Sequence, residues 1–364
     1  MDPTARVPLG QSAIHVPRLG MGGVGIGGMY APVLEDQAVA TVEAAWDAGI
    51  RFFDTAPVYG YGNAERYLGQ VLARKPRDEY VLATKVGRLL LHEGPEERRD
   101  ALVYYGGSPL FKGTPDVEPY YLFTYDGVMR SFEESLTRLG VDRVDILHIH
   151  DPDDYVDEAL TGAYVALDRL REEGVVGAIG VGTNNVAPLL RFAREADPDC
   201  FLVAGRYTLL DQSALGELLP LCQERGIALV IGGVYNSGIL CNLEPRRATA
   251  TARDPADIPT WVAGATFNYL PATAEWIARA QRLKEVCDRH DTPLMAAAIQ
   301  FPLAHPAVAT ILMGPRSVDE VEENERLFRF DVPSDLWEEL YAEGLLPTEA
   351  PVPGAAQTPD IPSA

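Results

Sequence analysis

Residues 144–150 read VDILHIH, residues 157–173 read DEALTGAYVALDRLREE, Gly174 follows, and residues 177–182 read GAIGVG. The first and last stretches are short apolar runs without strict polar alternation, as strands buried on both faces require. The middle stretch places apolar residues at helical spacing and ends at a glycine, which takes the left-handed conformation of a helix stop at little cost. Strand, helix, stop, strand is a parallel βαβ unit, and the same grammar extends in both directions. Further strands are expected at Pro17–Gly22, Arg51–Thr55, Tyr80–Val86, Phe201–Arg206, Ile227–Gly232 and Ala309–Met313. Helices are expected at Asp36–Ala48, Ala64–Arg74, Tyr125–Leu139, Val186–Ala196, Ala214–Arg225, Thr273–His290, Pro293–Leu303 and Val318–Phe328. Eight strands separated by helices predict a closed (β/α)8 TIM barrel of class α/β, in preference to an open doubly wound sheet. Residues 1–342 form that single domain. Arg6–Val16 forms an N-terminal β-hairpin plugging its lower end, and the Pro/Ala-rich residues 343–364 form a mobile tail. The 88–120 stretch is long enough to be a functional loop at the C-terminal face.

Composition narrows the function. The chain has 364 residues, is 47% hydrophobic and carries a net charge of −22. That balance excludes wholesale disorder and argues against nucleic acid, whose phosphates need a basic face. The N-terminus lacks the basic end and apolar core of a signal peptide, and no apolar run approaches the ~20 residues of a membrane span. Four cysteines without a CxxC pair suggest neither zinc finger nor redox motif. The expectation is a cytoplasmic protein acting on a small molecule, without nucleic-acid or membrane partner.

Two motifs invite other readings. Gly20-Met21-Gly22-Gly23-Val24-Gly25 matches GxGxxG, but no helix pattern begins until about Glu35, whereas a Rossmann turn leads from strand directly into helix. The glycines are read as making room at the barrel mouth. His148-Ile149-His150 would put two imidazoles on one strand face. No other histidine falls at a strand end, so no metal is assigned, and His148 is read as a hydrogen-bonded core residue.

Chemistry in such a barrel sits where strands end. The second strand ends in Asp54, with Tyr59 just beyond; the third ends near Lys85, and the fourth in His150. These residues, as Asp54-Thr55-Ala56-Pro57-Val58-Tyr59-Gly60 with Glu65 and Gly69, Ala83-Thr84-Lys85, and Val144-Asp145-Ile146-Leu147-His148-Ile149-His150, resemble the aldo-keto reductase superfamily from about Val7 to Phe330. Ala204–Asp211 and Asn236–Leu240 are similar to its sugar-oxidising and pyridoxal-oxidising members. The resemblance implies a catalytic set of Asp54, Tyr59, Lys85 and His150, His150 being selected by its place five residues after Asp145. In this reading Lys85, oriented by Asp54, lowers the Tyr59 pKa, and a neutral His150 fixes the reacting oxygen. It further implies a nicotinamide cofactor held by Gly22, Gly182, Thr183, Asn184, Tyr207, Asn236, Gly238, Gly314, Arg316, Glu320, Glu323 and Asn324. Glu320 stands where NADPH-specific relatives carry arginine. A carboxylate repels a 2′-phosphate and accepts a bond from a free 2′-hydroxyl, so NAD is favoured over NADP. The implied reaction is oxidation of an aldose at C1 to the lactone. The alternatives are oxidation of pyridoxal and NADPH-dependent reduction of aldehydes or ketones.

Overall fold

A computed structural model describes residues 1–101, 104, 105, 108–243 and 265–354. Eight parallel strands close into a barrel in chain order: β1 (Leu19–Gly22), β2 (Phe52–Asp54), β3 (Val81–Val86), β4 (Ile146–His150), β5 (Ala178–Thr183), β6 (Cys200–Ala204), β7 (Ala228–Gly232) and β8 (Val308–Met313), with β8 pairing back to β1. The helices are α1 (Glu35–Asp47), α2 (Asn63–Leu72), α3 (Tyr125–Leu139), α4 (Tyr164–Glu172), α5 (Val186–Glu195), α6 (Leu218–Arg225), α7 (Ala274–Arg289), α8 (Leu294–Gln300), α9 (Val318–Phe328) and α10 (Ser334–Ala342). No described helix is long and apolar enough to cross a membrane.

Strand periodicity sorts the side chains. Phe53, Leu82, Leu147, Ile149, Ile179, Val181, Phe201, Val203, Leu229 and Ile231 pack with the helices in the outer core. Their neighbours Phe52, Val81, Ala83, Ile146, Ala178, Cys200, Leu202, Ala228 and Val230 fill the barrel interior. Continuing that inward parity along β2, β3 and β4 brings Asp54, Lys85, His148 and His150 inside. The register Gly22↔Asp54 and His150↔Gly182 puts strand ends at one level. The hairpin of Arg6–Pro8 and His15–Pro17 closes the opposite end, with Leu9 and Val16 buried among the interior residues.

Three expectations change. The first helix-length stretch beyond β4 is broken by a π turn at Ala159–Ala163. α10 had no predicted counterpart. The tail expected to be mobile from Glu343 onward is packed as far as Val352: Leu345, Leu346, Ala350 and Val352 are buried, and Arg279 donates to the Leu345 carbonyl. Leu345, Leu346 and Val352, with Ala350, are the residues that dock. Residues 355–364 lie outside the described part.

Candidate active site

Lys85 lies fully buried on β3. Its Nζ donates to Asp54 Oδ2 at 2.6 Å and to the Thr55 carbonyl at 2.8 Å. Glu65 braces this strand from α2. Its carboxylate accepts from Thr84 Oγ1 at 2.7 Å and from Arg138 Nε on α3 at 2.5 Å. Gly69 lets α2 and α3 approach, since a Cβ there would stand 2.2 Å from the Leu139 carbonyl oxygen. Tyr59 follows β2 in a tight turn, and Lys85 Nζ lies 4.7 Å from its ring centroid. The His150 ring meets the same phenol edge-on at 5.6 Å. The four side chains inferred from strand ends therefore share one mouth.

Their ionisation differs in one respect from the expectation. Burial, with the Asp54 and Asp151 carboxylates, raises Tyr59 well above its ordinary value, and Arg88 only partly opposes this. The Lys85 ammonium, 4.7 Å from the ring centroid, gives its hydrogen bonds to Asp54 and the Thr55 carbonyl. Burial also raises Asp54, against the pull of Lys85. His150 is held well below its ordinary value by burial and by the Arg88 and Lys85 charges, so its imidazole is neutral. His148 is the core histidine that its parity suggests, with Nε2 3.5 Å from Cys200 Sγ and a pKa lowered to about 3, chiefly by burial.

Asp54, Tyr59, Lys85 and His150 line a cavity of about 960 Å³, within the range of small-molecule sites. Of the residues the resemblance assigned to cofactor binding, Gly22, Gly182, Thr183, Asn184, Gly238 and Gly314 are in its wall. Tyr207 is not. It is buried behind the barrel against Phe301 and His305, with centroids 5.3 and 5.6 Å away. β6 ends at Ala204, leaving Arg206 in the cavity wall and turning Tyr207 outward into the core. Asn236 is also removed from the wall. It accepts from Thr208 Oγ1 at 2.7 Å and donates to the Gly205 carbonyl at 3.1 Å, clasping that loop. Arg316, Glu320, Glu323 and Asn324 lie outside the cavity, Arg316 just before α9 and the other three on it. Glu320 is not a free carboxylate: it accepts from the Arg316 backbone N–H at 2.8 Å and from its guanidinium at 2.9 Å. Asn324 Oδ1 accepts from Tyr235 OH at 3.3 Å.

His305 offers a clean measurement of this burial. Its folded pKa is lowered to about 4 by burial, against roughly 6.5 when unfolded. Below pH 6.5 the unfolded chain takes a proton that the folded chain refuses, so the native contribution is full above that pH and is lost as pH falls towards 4. The His305→Asn variant is expected to shed up to about 1.4 kcal/mol per pH unit of the pH dependence of unfolding between those values. Identical denaturant-derived slopes in both proteins would contradict it.

The loop after β3 contributes what strand ends could not reveal. Arg88–Leu91 pairs antiparallel with Glu118–Tyr121, and Phe111 reaches the cavity. Tyr30 and Tyr269 line it as well, whereas Phe267 stacks on Trp276 with centroids 4.1 Å apart. The Tyr104 and Tyr105 side chains and Trp261 lie outside the described part. Arg206 Nη1 donates to Asn268 Oδ1 at 2.9 Å, holding the Thr266–Pro271 hairpin at the mouth.

Comparison with known proteins now decides the family. The aldo/keto reductase family model matches residues 18–342. The chain belongs to the aldo/keto reductase family. It is 42% identical over 351 residues to a pyridoxal 4-dehydrogenase of Microbacterium luteolum, covering 93% of this chain and 97% of that one. It is 40% identical over 338 residues to a D-threo-aldose 1-dehydrogenase of a Pseudomonas species, with the same two coverages. An aldo-keto reductase from Bacillus halodurans in its holo form superposes with a TM-score of 0.68 at 24% identity, over 94% of this chain and 97% of that one. This last likeness concerns the fold. The protein is accordingly an oxidoreductase acting on CH–OH groups, of a family that uses nicotinamide cofactors.

Proposed function

We propose that this aldo/keto reductase oxidises the C1 hydroxyl of a cyclic aldose to the lactone, with NAD as hydride acceptor and Tyr59 as general acid/base. The observation that carries the reading is the Lys85–Asp54 ion pair beneath the Tyr59 ring, with His150 against the same ring at the cavity wall. The aldose follows from the likeness to D-threo-aldose 1-dehydrogenase.

The wall suits a nicotinamide cofactor. Gly22, Gly182, Gly232, Gly233 and Gly314 expose backbone without a Cβ. A Cβ on Gly182 would already touch Leu202 and the Lys85 stem at 3.4 and 3.5 Å, and one on Gly314 would crowd Val24 at 3.1 Å. A flat ring fits where side chains would intrude, and Asn184 and Thr183 offer polar groups beside it. When bound, the cofactor supplies the hydride acceptor. The chain does the rest. Tyr59 as phenolate takes the proton of the substrate hydroxyl and becomes a phenol, Lys85 places positive charge near the phenolate before that transfer, and neutral His150 donates to the reacting oxygen and fixes its direction. Asp54 keeps Lys85 in place from below. Run backwards, the same phenol protonates a carbonyl. The raised pKa of Tyr59 favours that role, which keeps NADPH-dependent reduction as the second reading.

For the cofactor, the Arg316–Glu320 pair is the pivot. Arg316 reaches a 2′-phosphate only by leaving Glu320, while NAD makes no such demand. In Glu320→Gln the guanidinium loses its charged partner, and the ratio of kcat/KM for NAD over NADP is expected to fall about tenfold. An unchanged ratio would contradict this use of Glu320.

The function is tested by incubating the protein with NAD or NADP and aldoses or pyridoxal, following reduced cofactor by near-ultraviolet absorbance. Growth with NAD and an aldose is expected. Silence there, with turnover of pyridoxal or of carbonyls plus NADPH, would move the assignment to that reaction.

A further inference from the structure

Next to His150, the carboxylate of Asp151 is held in a way the chemistry above does not use. Asp151 has φ +43°, in the left-handed region that costs a non-glycine residue energy. Its N–H donates to the Gly182 carbonyl at 2.9 Å, which fixes that turn at the end of β4. The turn sends the side chain to the cavity wall, where Oδ2 accepts from Arg88 Nη2 at 2.9 Å and stands 3.5 Å from His150 Nε2. The latter separation is too long to commit the imidazole N–H.

Arg88 is itself immobilised. It is buried, with Nε donating to Asp100 Oδ2 at 2.5 Å, Nη2 to Tyr121 OH at 2.9 Å and Nη1 to the His150 carbonyl at 3.3 Å. Asp100 is fully buried and also accepts from Tyr121 OH at 3.1 Å. One guanidinium thus faces two carboxylates. Asp100 lies deeper and is closer to Arg88, and Asp151 is the carboxylate of the two with a part-exposed side chain (25%), at the cavity wall. A preorganised carboxylate at a cavity wall is an acceptor for donors arriving with the ligand.

We propose that Asp151 is a specificity-determining residue, accepting a hydrogen bond from the substrate hydroxyl that neighbours the reacting one. The inference rests on the aldose reading. In an aldose whose C1 oxygen meets His150, the neighbouring C2 hydroxyl oxygen is about 3 Å from that oxygen, which puts it within reach of an acceptor standing 3.5 Å from His150 Nε2. Arg88, Asp100 and Tyr121 are positioning residues, and through them the loop after β3 sets which neighbouring group is read.

The test crosses a variant with a substrate change. The native enzyme is expected to prefer an aldose over its 2-deoxy analogue by about tenfold or more in kcat/KM, the worth of a charge-assisted hydrogen bond. In Asp151→Ala this preference is expected to collapse to within about threefold, mainly through KM for the parent sugar, with NAD affinity unchanged. Should Asp151→Ala fail to fold with Arg88 half-paired, Asp151→Asn preserves the contact and is expected to reduce the preference by at least half. A purely structural Asp151 would slow both sugars equally and leave the ratio intact, which overturns the assignment alone. A native enzyme that oxidises no aldose overturns both this assignment and the reading beneath it.

Discussion

On the proposed mechanism, replacing Tyr59 by Phe removes the oxygen that exchanges a proton with the substrate, and kcat is expected to fall by roughly 10²–10⁴-fold, the usual worth of a general acid/base. The ring remains, so its edge contact with His150 and its packing on Phe111 persist. Cofactor affinity and thermal midpoint should therefore be near native. The pH profile gives a second readout. Oxidation needs the unprotonated oxygen, and burial with Asp54 and Asp151 keeps the phenol protonated through neutrality. Oxidation by the native enzyme should climb with pH above 7, and the residual rate of the variant should lack that climb. A Tyr59→Phe enzyme at full turnover would remove the proton-transfer role.

The second large effect is one of stability. Lys85→Met leaves the Asp54 carboxylate in the barrel interior, with Oδ1 lacking a hydrogen-bond partner among the described residues and Oδ2 losing the Lys85 cation. Breaking a buried pair by removing one member costs about 3–5 kcal/mol, whereas replacing both members with apolar groups of similar volume is often neutral. Denaturant unfolding should show the full cost in Lys85→Met and most of it recovered in Asp54→Leu/Lys85→Met. Turnover should stay low in both variants. A double variant as unstable as the single one would mean that the pair contributes by shape, not charge.

The features legible in the amino-acid sequence are those set by period and position. Alternation along β2, β3 and β4 sends Asp54, Lys85 and His150 inward, and a barrel has one end where such residues meet. Glycine stops mark the helix ends. The illegible features lie beyond the strand ends. Where β6 stops decides whether Arg206 or Tyr207 faces the cavity, and strand boundaries are not encoded sharply in apolar runs. Glu320 reads as a free carboxylate because sequence does not reveal that Arg316 curls back on it. Arg88 and Asp100 meet Asp151 only after an antiparallel ribbon has folded the loop after β3 back on itself. Asp151 adjoins His150 in the chain, but an acidic residue after a strand has many structural uses. Its positive φ and its clamped side chain set it apart only in three dimensions.

On the proposed function, hydride is expected to leave the anomeric carbon of an aldose. The most direct measurement uses an aldose carrying deuterium at C1, incubated with NAD and the enzyme, with the reduced cofactor and the sugar product analysed by mass spectrometry. Deuterium is expected in the reduced nicotinamide, with a slowed turnover and a lactone product. Reduced cofactor without deuterium, or a sugar oxidised at another carbon, would contradict it.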